Sequence, residues 1–171
     1  MTLREQEEYT ALRATIRERG TTRVWVFTLG IAVWAALTLA TFALALAPVS
    51  TVVPLLALAS SFEGVLALHV GVERIGRYLL VFHDDTWEQT AGSFGRPAGA
   101  VAVDPLFTAP YIVAAVLTFL PVMTTPDPIR QELIVVLAGQ AAFIARVLVA
   151  RTACARQRDV DTARLRELKN L

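Results

Sequence analysis

The sequence predicts an all-α integral membrane protein: a four-helix transmembrane bundle, up-down-up-down, with cytoplasmic amphipathic helical extensions at both termini. Three observations lead there. Apolar runs at about 24–47, 52–72, 105–123 and 133–150 each come close to crossing a hydrocarbon core of about 30 Å at about 1.5 Å per helical residue. Hydrophobic residues make up 55% of the chain and charged ones 18%, so the runs lack the polar faces that a water-soluble bundle needs. The basic residues are also segregated. Five lie in residues 1–23, none between the first two runs, three between the second and third, one (Arg130) before the fourth, and six after Ala150; Arg146 alone lies within a run. The positive-inside rule then puts both termini and the central loop in the cytoplasm, as in a multi-pass protein of a bacterial inner membrane.

Taken in order, residues 1–23 read as a cytoplasmic helix. Leu3, Tyr9, Leu12 and Ile16 form a thin apolar stripe, while Glu5, Glu7 and Glu8 precede Arg17, Arg19 and Arg23, the order that suits a helix dipole. The first run is too long for a signal-peptide core and reads as a retained span. Ala32, Ala36 and Ala40 recur at four-residue spacing, a face that admits a close neighbour. Trp25 suits the interface and Trp34 the middle of the span. The uncharged connector 48–51 makes the first two spans a tight antiparallel pair.

The second run carries Ser60, Ser61 and Gly64 for close packing, with Glu63 and His69 among its apolar residues. Beyond it, 73–83 continues as an amphipathic helix into a structured cytoplasmic loop, 73–104, that holds Trp87, Gly92, Gly95 and Pro97. Asp104-Pro105 opens the third span. The fourth opens near Pro128 and runs through Gln140 and Arg146 into a C-terminal cytoplasmic helix, 151–171, with Val160, Leu165, Leu168 and Leu171 as its stripe. The domain organisation is therefore 1–23, 24–150 and 151–171.

Polar residues inside apolar runs are costly and belong in the bundle interior. Glu63, His69, Glu73, Arg146, Gln140 and Tyr111 form the candidate intramembrane network. If the second run exits near Val72, Glu63 lies about 13 Å deep, level with Gln140 if the fourth run exits near Ala150. A Glu63–Gln140 hydrogen bond and a Glu73–Arg146 ion pair follow. Trp34 and Thr118 fall near mid-membrane. Arg74 and Arg77 mark the lipid-headgroup surface. His83, Asp84, Asp85 and Glu88 are weak metal candidates, read more simply as a solvated loop. His69 and His83 stand 14 residues apart, as stacked haem ligands can, but this chain has no histidines to face them. No metal site and no cofactor is expected.

No phosphate-binding loop, dinucleotide fingerprint, nucleophile elbow or zinc motif occurs. The lone cysteine, Cys154, excludes an intrachain disulfide, and no basic aromatic-studded face points to nucleic acid. The expected function is therefore not enzymatic: an accessory, assembly or scaffold subunit acting through helix–helix and cytoplasmic-tail contacts. Its expected partners are the lipid bilayer, anionic headgroups included, and either further copies of itself or a larger membrane complex. Two alternatives stay open. One is a homo-oligomeric ion channel or proton/cation-coupled carrier using Glu63; the other is a redox or quinone-associated subunit using His69 and Tyr111.

Overall fold

The structure, a computed structural model, describes residues 2–94 and 105–171. The described residues are all-helical, 88% of them in helices, with no strand among them. Helix α1 spans Leu3–Ala43, α2 Val52–Phe82, α3 Thr86–Phe94, α4 Pro105–Leu117, α5 Leu120–Met123 and α6 Arg130–Lys169. A 3-10 turn, Pro48–Thr51, leads into α2. Three helical segments are long and apolar enough to cross a membrane: Leu3–Ala43, Pro48–Phe82 and Arg130–Lys169.

Local chemistry sets the ends of these helices. Thr2 and Glu5 form a reciprocal capping box at the start of α1: the Thr2 N–H donates to Glu5 Oε2 at 2.6 Å, and the Glu5 N–H donates to Thr2 Oγ1 at 3.3 Å. The other end closes with paired bonds, Ala45 N–H to Phe42 O and Leu46 N–H to Thr41 O. That Schellman pattern puts Ala45 in the left-handed region, at φ 47°. The third apolar run, read from sequence as one span, is interrupted between α4 and α5. Pro121 has no N–H to offer the carbonyl one turn back, and its ring crowds that turn. The chain answers with tight bonds from Phe119 N–H to Val116 O and from Val122 N–H to Phe119 O.

The chain divides into two compact units. The apolar unit comprises Trp25–Val65 and Asp104–Ala150; the polar unit comprises Met1–Val24, Leu66–Val103 and Arg151–Leu171. Within the apolar unit α1 and α2 are antiparallel. They approach so closely that a Cβ on Gly30 would lie 1.9 Å from Ser61 Oγ, while one on Gly64 would lie 3.2 Å from Val26 Cγ1. The face of α1 against α2 is thus built on Gly30. The Ala32, Ala36 and Ala40 stripe, read from sequence as the packing face, points outward. Helices α2 and α6 run parallel here, with Leu55 beside Gly139 and the Phe62 and Phe143 rings edge to face at 6.0 Å. Phe27 and Phe62 both set edges against Tyr111 of α4. The core is Leu58, Phe62, Tyr111, Ala115, Val136 and Val147 with their neighbours.

The larger share of the apolar surface faces outward. Only 11% of the most apolar window of Leu3–Ala43 is buried, 39% of that in Pro48–Phe82 and 28% of that in Arg130–Lys169. Leu29, Leu39, Leu56, Val116, Ile134 and Leu137 are all exposed. Apolar surface on this scale, unmatched by intrachain partners, belongs against lipid or another apolar surface.

Candidate polar network

Sequence reasoning gathers Glu63, His69, Glu73, Arg146, Gln140 and Tyr111 into one network. The chain distributes them instead over both units. In the apolar unit, Arg146 Nη2 donates to Glu63 Oε2 at 2.8 Å, and both side chains are about half exposed. The Glu63–Gln140 bond is not formed. Gln140 is buried, and neither its amide nitrogen nor its amide oxygen has a partner among the described residues. Tyr111 is fully buried and shares a 2.8 Å hydrogen bond with Ser61; the Ser61 hydroxyl also lies 3.3 Å from Val26 O. Trp34 and Thr118 do meet, the indole Nε1–H donating to Thr118 Oγ1 at 2.7 Å. The Thr118 hydroxyl in turn donates to Ala114 O, which satisfies the last turn of α4.

The polar unit holds His69 and Glu73. Arg77 donates to Glu73 one turn before it and, at 2.6 Å, to Asp161 of α6. Arg158 reaches the other Glu73 oxygen at 3.1 Å, and Gln157 donates to Asp161 at 2.7 Å. Arg74 stands 3.5 Å from Asp161. Arg77, expected at the lipid-headgroup surface, is only 7% exposed; the two carboxylates draw it inward and meet its guanidinium fork. Arg74 stays exposed. Arg23 Nη1 lies 2.9 Å from His69 Nδ1. A guanidinium only donates, so the neutral ring carries its proton on Nε2, toward Glu73 Oε1 at 3.5 Å.

The Glu73–Arg146 pair expected from sequence is replaced by Glu73–Arg158, and Arg146 turns to Glu63. In the apolar unit Glu63 pairs with Arg146, and in the polar unit Glu73 pairs with Arg158, so counting back from the ends of the two runs mismatches the partners.

A second cluster ties α1 to α3. The buried Asp85 caps α3, its Oδ1 accepting the N–H groups of Trp87 at 2.9 Å and Glu88 at 3.3 Å. Its Oδ2 accepts from the Tyr9 hydroxyl at 2.9 Å and from Arg13, and Arg13 also reaches Glu88 at 3.0 Å. Burial works to raise the Asp85 pKa. The bonds from Tyr9, from the Glu88 backbone and from Arg13 outweigh it, and the net shift is below the ordinary aspartate value. Asp84, at φ 47°, is exposed beside Lys169 at 3.7 Å. The His83 ring lies edge to face with Tyr9 and tilted against Tyr78. Among the described residues no group of three His, Cys, Asp or Glu side chains is placed to hold a metal. The four weak metal candidates serve instead as cap, ion-pair partner and ring contact. The central loop's Gly95, Pro97 and Asp104 lie outside the described residues.

Sequence reasoning missed Arg13, Arg158 and Asp161 as network members. The i,i+4 relations Tyr9–Arg13 and Gln157–Asp161 signalled the first and the last, whereas Arg158 meets Glu73 from a distant helix. The chain matches no protein family, no curated protein and no solved structure.

Proposed function

We propose that the protein is a non-catalytic multi-pass membrane protein, an accessory, assembly or scaffold subunit. It works through helix contacts in the bilayer and through its polar unit in the cytoplasm. In this reading α1, α2 and α6 each cross once. The apolar stretch Thr108–Met123 makes a fourth crossing that completes an up-down-up-down bundle with both termini on the arginine-rich side.

The observation that carries the reading is the outward orientation of the apolar side chains on the long helices. In water each exposed leucine or valine forfeits about 25 cal/mol per Å² of apolar area that burial recovers, whereas lipid removes that cost. Support for the alternation comes from the antiparallel α1–α2 and parallel α2–α6 contacts within the apolar unit. Support for a structural role comes from the carboxylates: Glu63, Glu73, Asp85 and Asp161 are each met by arginine, so none stands free to act as a base.

A bacterial inner-membrane preparation tests this. The protein should resist carbonate extraction, and reporters fused after Leu171 and within Pro48–Thr51 should report opposite sides. Release by carbonate, or the same side for both reporters, overturns the topology. The channel or carrier alternative through Glu63 is tested in liposomes. A cation or proton flux that Glu63→Gln abolishes, with the fold intact, replaces the scaffold reading.

A further inference from the structure

The Glu63–Arg146 pair stands on the outer surface of the apolar unit. The Glu63 side chain is 49% exposed and that of Arg146 46%. Their flanks are apolar or small. Exposed Val53, Leu56 and Ser60 precede Glu63 on its side of α2, and exposed Ala138 and Ala142 precede Arg146 on α6. In water such a pair would call for nothing. Facing hydrocarbon, which this inference takes over from the membrane reading above, it leaves most of its hydrogen-bonding capacity unmet. The intrachain bond uses one of five guanidinium N–H groups and one carboxylate oxygen, and the rest is costly at that depth.

We infer that this face is the contact between two copies of the chain related by a two-fold axis. The argument is charge complementarity. A cover for this face must offer an acid opposite Arg146 and a base opposite Glu63, at the spacing the pair itself has. A two-fold axis beside the pair supplies both at once. Glu63 of one protomer meets Arg146 of the partner subunit, and the reverse contact follows by symmetry. The four side chains then close a neutral ring in which each carboxylate accepts from two guanidiniums. An anionic headgroup serves Arg146 but repels Glu63, and a cation does the opposite. Ser60, Ala138 and Ala142 keep the flanks low enough for helix backbones to approach.

Charge variants distinguish this arrangement from the intrachain pair. Ala142→Cys in a Cys154→Ser background should cross-link to dimer in native membranes. Glu63→Arg and Arg146→Glu should each lower the association constant at least about tenfold. Each of these chains carries two like charges, so neither can satisfy itself. Co-expressed, they should recover wild-type cross-linking as a heterodimer, because both interchain pairs are restored while neither intrachain pair is. The swap Glu63→Arg/Arg146→Glu in one chain should dimerise as wild type does. The inference is overturned if either single variant dimerises normally, or if the mixture of folded single variants does not recover. If the single variants do not fold, wild-type photobleaching in liposomes decides: two-step traces support the dimer, and single steps at every protein-to-lipid ratio overturn it. A protein that is monomeric yet resists carbonate overturns the dimer alone, whereas release by carbonate removes the membrane reading as well.

Discussion

Gly30→Ala asks whether α1 and α2 truly touch backbone to side chain. The new methyl would lie 1.9 Å from Ser61 Oγ and 2.3 Å from Ser61 Cβ. The hydroxyl can rotate away, but only by leaving Tyr111, its 2.8 Å partner. The Cβ cannot move without α2. An ordinary carbon–carbon contact is about 3.5–4.0 Å, so the helices must part by more than about 1 Å. Overpacking of this kind costs about 1–3 kcal/mol. Stranding the buried Tyr111 hydroxyl adds about 1 kcal/mol, while the better helix propensity of alanine returns about 1 kcal/mol. The net expectation is a loss of about 1–3 kcal/mol.

Reversible denaturant or thermal unfolding of the detergent-solubilised protein measures that loss. Ser61→Gly removes both obstructing atoms, so the pair should couple. Gly30→Ala ought to be better tolerated in the Ser61→Gly background than with the serine in place, by at least about 1 kcal/mol. A Gly30→Ala protein as stable as wild type, or more stable by the gain in helix propensity alone, refutes the close approach.

Three further outcomes are expected. Gln140→Leu should raise stability by about 1–2 kcal/mol in the same assay, since it removes a buried amide whose two polar atoms have no partner among the described residues; a loss instead would mean that the amide is satisfied. Ala45→Gly should add about 0.5–1 kcal/mol by relieving the φ of 47° that ends α1, and an unchanged midpoint would deny the Schellman geometry. Asp85 has a folded pKa below its unfolded value. Its contribution is therefore complete above the unfolded value, near about 3.9, and is lost as pH falls through the lower folded one. Hydrogen exchange in α3 should accelerate over that acid range and less so in Asp85→Asn, whereas an identical acid dependence in the variant would remove Asp85 as the cause.

Much of the helix content is legible in the sequence because apolar runs and prolines announce themselves. Other features are hidden for identifiable reasons. Pro121 reads as a proline at the edge of a single span, 105–123, yet its absent N–H parts α4 from α5 within that run. The stripe of Ala32, Ala36 and Ala40 resembles a packing face because small residues recur there, whereas the contact uses the single Gly30, which no periodicity marks. Thr2 and Glu5 carry the capping-box spacing openly. Trp34 and Thr118 both fall near mid-run, and they are bonded.

The polar partners are the least legible, and the cause is physical. The edge of an apolar run is a property of one helix, set by where its own charges begin. Partner choice is a property of two helices, set by how their side chains interlock. Phe62 against Phe143 and Leu55 against Gly139 set the register of α2 on α6 in the apolar unit. With those contacts made, Arg146 comes within reach of Glu63 and Gln140 does not. Charge follows packing here because interlocked rings and a leucine seated on a glycine fit at one register, whereas the long Glu63 and Arg146 side chains reach one another over a range of registers. Shifting α6 to bring Gln140 level with Glu63 would undo that packing. The amide therefore stays buried and unpaired, and the glutamate turns outward to the arginine that packing brings to it.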